Sequence, residues 1–172
     1  MNASGLHHKE PRKKLNPMIH HISISARNPH HVANVLAEVL DGRVSLFPPN
    51  VNSYVVWIGD QYGTMIEVYP LGSELMPGQG QDGATFCQNA HPYAYSAVHA
   101  AISVTTSQQH IKEIADREGW RTVCCDRDGI FNVIEFWVEN RLMLELLPPE
   151  LTFRYLNVVQ PQNLEQFLPE LT

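Results

Sequence analysis

The sequence predicts an α+β fold of two βαβββ modules, forming a curved mixed sheet or cup with the helices outside. Three observations carry that reading. A His-headed apolar/small alternation and a Met-x-Glu-x-x-Pro ending occur twice: His21 with Met65-Ile66-Glu67-Val68-Tyr69-Pro70, and His99 with Met143-Leu144-Glu145-Leu146-Leu147-Pro148. Glu67 stands 46 positions after His21, and Glu145 stands 46 after His99. The same order of strand-like and helix-like patterns follows each His, and a Gly-, Gln-, Ser- and Pro-rich stretch separates the copies. Internal repetition at a fixed offset is the signature of duplicated supersecondary units.

Taken in order, residues 1–17 read as a flexible basic tail (Lys9, Arg12, Lys13, Lys14) without a signal-peptide core. The first module covers 18–70. Residues 19–26 alternate, with Ile22 and Ile24 on one face and His21, Ser23 and Ser25 on the other, the pattern of a half-buried strand. Asn28 is a good N-cap, and Pro29 suits the first helical position. Val32, Val35, Leu36, Val39 and Leu40 form the helix stripe, and Asp41-Gly42 ends it. Strands are expected at 43–47, 53–58 and 64–69, divided by Pro48-Pro49-Asn50 and Gly59-Asp60-Gln61-Tyr62-Gly63.

Residues 71–97 read as an inter-module linker or a lid, because so long a connection is unusual inside a compact domain. His91, Tyr93 and Tyr95 lie there and could close over a ligand. The second module covers 98–149. A strand is expected at 98–105, then a helix capped by Ser107 with Ile111, Ile114 and Ala115 inward and Glu118-Gly119 at its end. Further strands are expected near 120–125, 130–138 and 141–147, with turns at Asp126-Arg127-Asp128-Gly129 and Glu139-Asn140. Residues 150–172 read as a C-terminal extension, with a short helix near Asn163–Leu168.

Bulk properties bound the function. The chain has 172 residues, 44% hydrophobic, with a net charge of −6 and a mean hydropathy of −0.21. No apolar run is long enough to span a bilayer. The acidic balance argues against a nucleic-acid face. The three cysteines, Cys87 and the neighbours Cys124 and Cys125, make neither a disulfide framework nor Cys-x-x-Cys zinc spacing. A reducing, cytoplasmic setting follows.

The chemistry concentrates on four residues. Strand alternation puts His21 with Ser23 and Ser25, His99 with Ala101 and Ser103, Glu67 with Met65 and Tyr69, and Glu145 with Met143 and Leu147, all on faces turned from the helices. A carboxylate among aliphatic side chains is expensive to bury unpaired. Two imidazoles and two carboxylates form a mixed nitrogen/oxygen set that suits Zn, Ni, Fe, Mn or Co as a divalent metal. Such a metal would act as a Lewis acid on adjacent substrate oxygens, with a Glu as general base. We therefore expect His21, Glu67, His99 and Glu145 as metal ligands, and Glu67 and Glu145 as catalytic residues.

These residues resemble the vicinal-oxygen-chelate superfamily, which includes glyoxalase I, extradiol dioxygenases and the fosfomycin and bleomycin resistance proteins. The resemblance covers about residues 19–148. It implies paired βαβββ modules, a metal in the cup, and one His from the first strand and one Glu from the last strand of each module as ligands. It also implies a glyoxalase-like proton shuttle through a metal-bound ene-diolate, on a small oxygenated carbon acid. The helix reads Leu36-Ala37-Glu38-Val39-Leu40-Asp41-Gly42 where many glyoxalase I helices carry Phe-Tyr followed by Leu-Gly, and no glutathione-binding pattern is legible. In this superfamily the modules pair within a chain or are shared between chains, so a homodimer is one expected assembly.

Competing readings stand beside these. A one-residue register slip would exchange His20 for His21; the alternation of Ile22 and Ile24 favours His21. Glu67 and Glu145 could be solvated edge carboxylates, although their apolar flanks argue otherwise. Glu135, in Val133-Ile134-Glu135-Phe136-Trp137, could face the cavity or an exposed edge. Arg43 and Arg121 occupy equivalent places and read as anion binders or solvated strand starts. His30, His31 and His110 read as helix-surface residues, and Cys124 and Cys125 as plain strand residues. In function, the alternatives to a metal-dependent lyase or isomerase are a metal-free small-molecule-binding or drug-resistance module, an Fe(II) extradiol-type dioxygenase, and a regulatory or protein-interaction domain.

Overall fold

A computed structural model describes residues 18–160 and 163. The expected basic tail at 1–17 lies outside the described residues, as does most of the expected helix near 163–168. The first module runs β1 (His21–Ala26), α1 (Pro29–Leu40), β2 (Arg43–Leu46), β3 (Tyr54–Trp57) and β4 (Met65–Pro70). A hairpin of β5 (Ser73–Met76) and β6 (Thr85–Gln88) follows. The second module runs β7 (Ala100–Ser103), α2 (Gln108–Glu118), β8 (Thr122–Arg127), β9 (Phe131–Val138) and β10 (Leu142–Leu147), and α3 (Pro149–Val158) closes the described chain.

The two four-stranded sheets have the same order, β1-β4-β3-β2 and β7-β10-β9-β8. In each, the first and last strands of the module are parallel neighbours, while the middle strands pair antiparallel. The duplication is therefore a duplication of topology. Equivalent positions follow from the register: Ser23, Glu67 and Val55 in one sheet match Ala101, Glu145 and Glu135 in the other.

Local chemistry explains the elements. Asn28 accepts the His31 N–H at 3.2 Å, with Pro29 at the first turn of α1. Ser107 caps α2 in the same way, and Gly119 ends it in the left-handed region. At the end of α1 the left-handed residue is Asp41, with φ 52°. Gly42 serves a different purpose: a Cβ there would stand 2.8 Å from the Trp57 carbonyl oxygen, so glycine lets the chain pass close against β3.

The helix-facing sides of both sheets share one core. Val32, Leu36 and Val39 of α1 join Ile66 and Val68 from the first sheet, Ile111 and Ile114 of α2, and Phe136, Leu144 and Leu146 from the second. Each fully buried side chain of this kind stabilises the fold by roughly 1.5–3 kcal/mol. Polar contacts lock the same interface. Glu139, in the β9–β10 turn, accepts the backbone N–H of Arg27 and of Asn28 at 2.7 and 2.9 Å. Arg117 of α2 forks onto Glu38 of α1 at 3.0 and 2.7 Å, and Thr106 donates to the Val39 carbonyl at 2.7 Å.

Some elements depart from expectation. Residues 71–97 contain the β5–β6 hairpin, which the Gly, Gln and Pro content of 77–83 conceals because that stretch is its loop. A helix not expected from the sequence lies at 149–158, where Pro149 provides a preorganised first turn. Trp120 is buried against Phe136 rather than in a strand, so β8 begins and ends two residues later than expected. Asp128 and Gly129 both take positive φ, and Ile130 N–H reaches the Arg127 carbonyl at 2.9 Å. That is the type I′ pattern an Asp-Gly pair favours, and it leaves Arg127 on the sheet instead of in the turn.

Candidate active site

Each module places a His and a Glu on adjacent parallel strands, on the face away from its helix. His21 pairs with Met65, two residues before Glu67. His99 stands just before β7, two residues before Ala101, the partner of Glu145. Both couples therefore form the same diagonal across a strand pair, with Cα atoms roughly 7–8 Å apart.

The surroundings of the two carboxylates differ. Glu67 is 8% exposed. Its Oε2 accepts the Ser23 hydroxyl at 2.8 Å and the Tyr69 hydroxyl. Burial, reinforced by the Glu67 carboxylate, pushes the Tyr69 phenol up to about 12, so it remains a donor at neutral pH. Phe47 and Phe86 pack on the Tyr69 ring, at centroid separations of 5.7 and 5.2 Å. Phe86 comes from the β5–β6 hairpin, so that hairpin forms a wall of this cluster.

Glu145 lies in a charged cluster. It sits directly opposite Glu135 on the antiparallel β9–β10 ladder, an arrangement of like charges that is unfavourable alone. Arg127 resolves it: its Nη2 donates to Glu145 Oε1 at 2.6 Å and to Glu135 Oε1 at 3.0 Å. Trp137 Nε1 donates to Glu135 Oε2 at 3.1 Å. Burial pushes the Glu135 carboxyl up, but the Trp137, Arg127 and Cys125 donors outweigh it and hold the group below the ordinary carboxylate range. The hydrogen bond to Glu145, more than any other contact, raises Arg127 above its ordinary value.

The two imidazoles meet elsewhere. His21 and His99 line one cavity of about 580 Å³, together with His20, Ala101 and Ser103. Glu67 and Glu145 are outside its lining. His99 Nδ1 lies 3.0 Å from the Ala97 carbonyl. A carbonyl only accepts, so Nδ1 carries a proton and Nε2 is the nitrogen left to face another partner. His20 turns its Nδ1 to the Tyr62 carbonyl at 2.7 Å, which leaves His21 as the imidazole that shares a face with Ser23. Among the described residues, no three His, Cys, Asp or Glu side chains gather closely enough to hold a metal ion.

By chemistry alone the four side chains, two imidazoles and two carboxylates, suit a divalent cation, although the described residues place the imidazoles in one cavity and the carboxylates outside its lining. His99 has one nitrogen fixed by a backbone carbonyl, the outer-sphere arrangement typical of ligating imidazoles. Glu145 has Oε1 held by Arg127 and Glu67 has Oε2 held by two hydroxyls, so each retains a second oxygen for another partner.

The other candidates separate cleanly. Glu135 faces the Glu145 side of the sheet. His31 pairs with Glu118 at 2.6 Å, and His110 with Glu113 at 3.2 Å, both on helix surfaces. His91, Tyr93 and Tyr95 are exposed, as are Arg43 and Arg121. Two functional candidates escaped sequence reasoning. Arg127 was hidden by an ambiguous turn, although Asp128-Gly129 was the signal that could have placed it. Arg141 was hidden at a strand start; a charge wedged before Leu142-Met143-Leu144 was its only trace.

Two βαβββ modules in this order, with the helices outside, are the fold that the vicinal-oxygen-chelate resemblance implied. The particular solved structures it is similar to include the fosfomycin resistance protein FosX from Listeria monocytogenes. Its complex with Mn(II) and sulfate is 11% identical and aligns over 90% of this chain and 100% of that one, with a TM-score of 0.53. A variant of the same protein, complexed with Mn(II) and 1S,2S-dihydroxypropylphosphonic acid, is 12% identical over the same coverage, with a TM-score of 0.53. A monoclinic form at pH 6.5 is 12% identical over 77% of this chain and 91% of that one, with a TM-score of 0.50. At these identities the likeness is one of fold. No protein-family model matches the sequence, and no curated protein does. No helix among the described residues is long and apolar enough to cross a membrane.

Proposed function

We propose that this chain is a divalent-metal-dependent enzyme that acts on a small oxygenated carbon acid as a glyoxalase-like lyase or isomerase. The observation that carries this is the repeated His–Glu diagonal, in which both carboxylates are oriented by neighbours while one oxygen stays available. His21, Glu67, His99 and Glu145 would hold the metal, within one chain or in a homodimer, in a cytoplasmic setting. A bound Zn, Ni, Fe, Mn or Co ion would supply Lewis-acid polarisation of two neighbouring substrate oxygens. Ser23 and Tyr69 fix Glu67 through Oε2, so its free Oε1 would either face the metal or, when not ligating, take a proton from the substrate carbon. Arg127 orients Glu145 through Oε1 and bridges it to Glu135. Phe47, Phe86 and Tyr69 form an apolar wall that limits water near Glu67.

Metal analysis of purified protein, with and without Glu145→Gln, tests this reading. We expect about one equivalent of divalent metal per cavity, largely lost in the variant. Full retention in Glu145→Gln would remove that residue from the ligand set.

The FosX likeness favours a second reading, a drug-resistance module of the same fold that binds a small phosphonate. That reading predicts binding of fosfomycin itself, and metal-independent binding would mark a sequestering protein.

A further inference from the structure

The cavity that includes part of the Glu67 cluster contains a charge with no counter-charge. Arg141, immediately before β10, is 5% exposed. Its Nη2 donates to the Ser25 carbonyl and, at 3.0 Å, to the Ser25 hydroxyl, both neutral groups. Its Nε is fully buried, with no hydrogen-bond partner among the described residues. Burial draws the guanidinium below its ordinary value. The carboxylate that acts on it most is Glu139, and both Glu139 oxygens are occupied by the backbone N–H groups of Arg27 and Asn28. Arg27, the other charged group that acts on Arg141, is a second cation.

A buried guanidinium without an anion is costly to desolvate, and so is a buried donor left without an acceptor. Such an arrangement persists where a ligand completes it. Arg141 lines a cavity of about 240 Å³ together with Ser23, Ser25, Tyr69, Ser73 and Ser96. The Ser25, Ser73 and Ser96 hydroxyls, which only accept in the bonds described, and the unpaired guanidinium are hydrogen-bond donors of the kind an oxyanion needs. The volume is below that of ordinary drug-sized pockets and suits one small charged group. Ser23 and Tyr69 also hold Glu67, so whatever binds there lies beside the proposed catalytic carboxylate.

We infer that the Arg141 cavity is a binding site for a small oxyanion, a phosphate, phosphonate or carboxylate. As the anchor for the anionic end of the substrate, it rests on the proposed enzymatic reading; as an anion site, it stands without it. Arg141 fixes the anion, and the Ser hydroxyls complete its shell.

The test uses full-length protein freed of metal with EDTA, so that its outcome is separate from the metal reading. Inorganic phosphate, and separately acetate, are titrated at constant ionic strength against chloride, with binding followed by calorimetry and thermal melting. We expect saturable binding of at least one of the two and a rise in Tm, with affinity reduced at least about tenfold in Arg141→Met and partly restored in Arg141→Lys. If Arg141→Met fails to fold, Ser73→Ala/Ser96→Ala serves instead and should also weaken binding. Absence of saturable binding in the wild-type protein, or unchanged affinity in the variants, overturns the inference.

Discussion

The two modules share a topology, yet their equivalent glutamates are stabilised by different physics. Glu67 is held by two neutral hydroxyls, with Val55 opposite it. Glu145 is held by a guanidinium, with a second carboxylate opposite. A duplicated backbone thus preserves where a carboxylate stands without preserving how its charge is satisfied. The first arrangement keeps a buried acceptor in a low-polarity wall of aromatic rings; the second is a short chain of alternating charge, Trp137 to Glu135 to Arg127 to Glu145. Glu67 is therefore the more sensitive to any added charge, and Glu145 to any lost one.

That contrast can be broken by making the modules alike. Val55→Glu would set a second carboxylate opposite Glu67 with no guanidinium to bridge them, at a position 2% exposed. We expect the largest effect here, a loss of about 4 kcal/mol or more, or failure to fold, read by urea denaturation. Arg127→Ala makes the opposite change, stripping the second module of its cation. A fully buried pair broken in this way costs about 3–5 kcal/mol; because Arg127 is 34% exposed, solvent screening should reduce the loss to about 2 kcal/mol. Tyr69→Phe removes one donor from Glu67 while keeping the ring between Phe47 and Phe86. The expected cost is about 1.5 kcal/mol, measured by the same denaturation.

The smallest effect sharpens the comparison through pH. Glu135 is depressed in the folded state, so its stabilising contribution is present above the ordinary carboxylate range and is lost as the pH falls through its lowered value. The acid limb of stability against pH should therefore flatten in Glu135→Gln. An unchanged acid limb would show that the charged chain contributes little.

The sequence made the repeat legible because its two glutamates and two histidines sit at a fixed interval and alternation assigns their faces. The caps Asn28 and Ser107 were equally clear, since capping depends on local bonds. The β5–β6 hairpin was not, because its strands are four residues each and half-exposed, with little apolar alternation. The convergence of Arg127 on Glu135 and Glu145 was hidden for a different reason. It depends on cross-strand register, which a one-residue ambiguity in a turn suffices to scramble. The Arg141 cavity depends on a residue of one module reaching Ser25 of the other, a tertiary fact with no local pattern.

The Glu139 clasp has a consequence of its own. A carboxylate from the far half of the chain shields the Arg27 and Asn28 amides at the very entry to α1, so hydrogen exchange at those two amides reports directly on parting of the halves. Comparing them with the amides of β4 and β10 would tell whether the seam opens separately from the sheets.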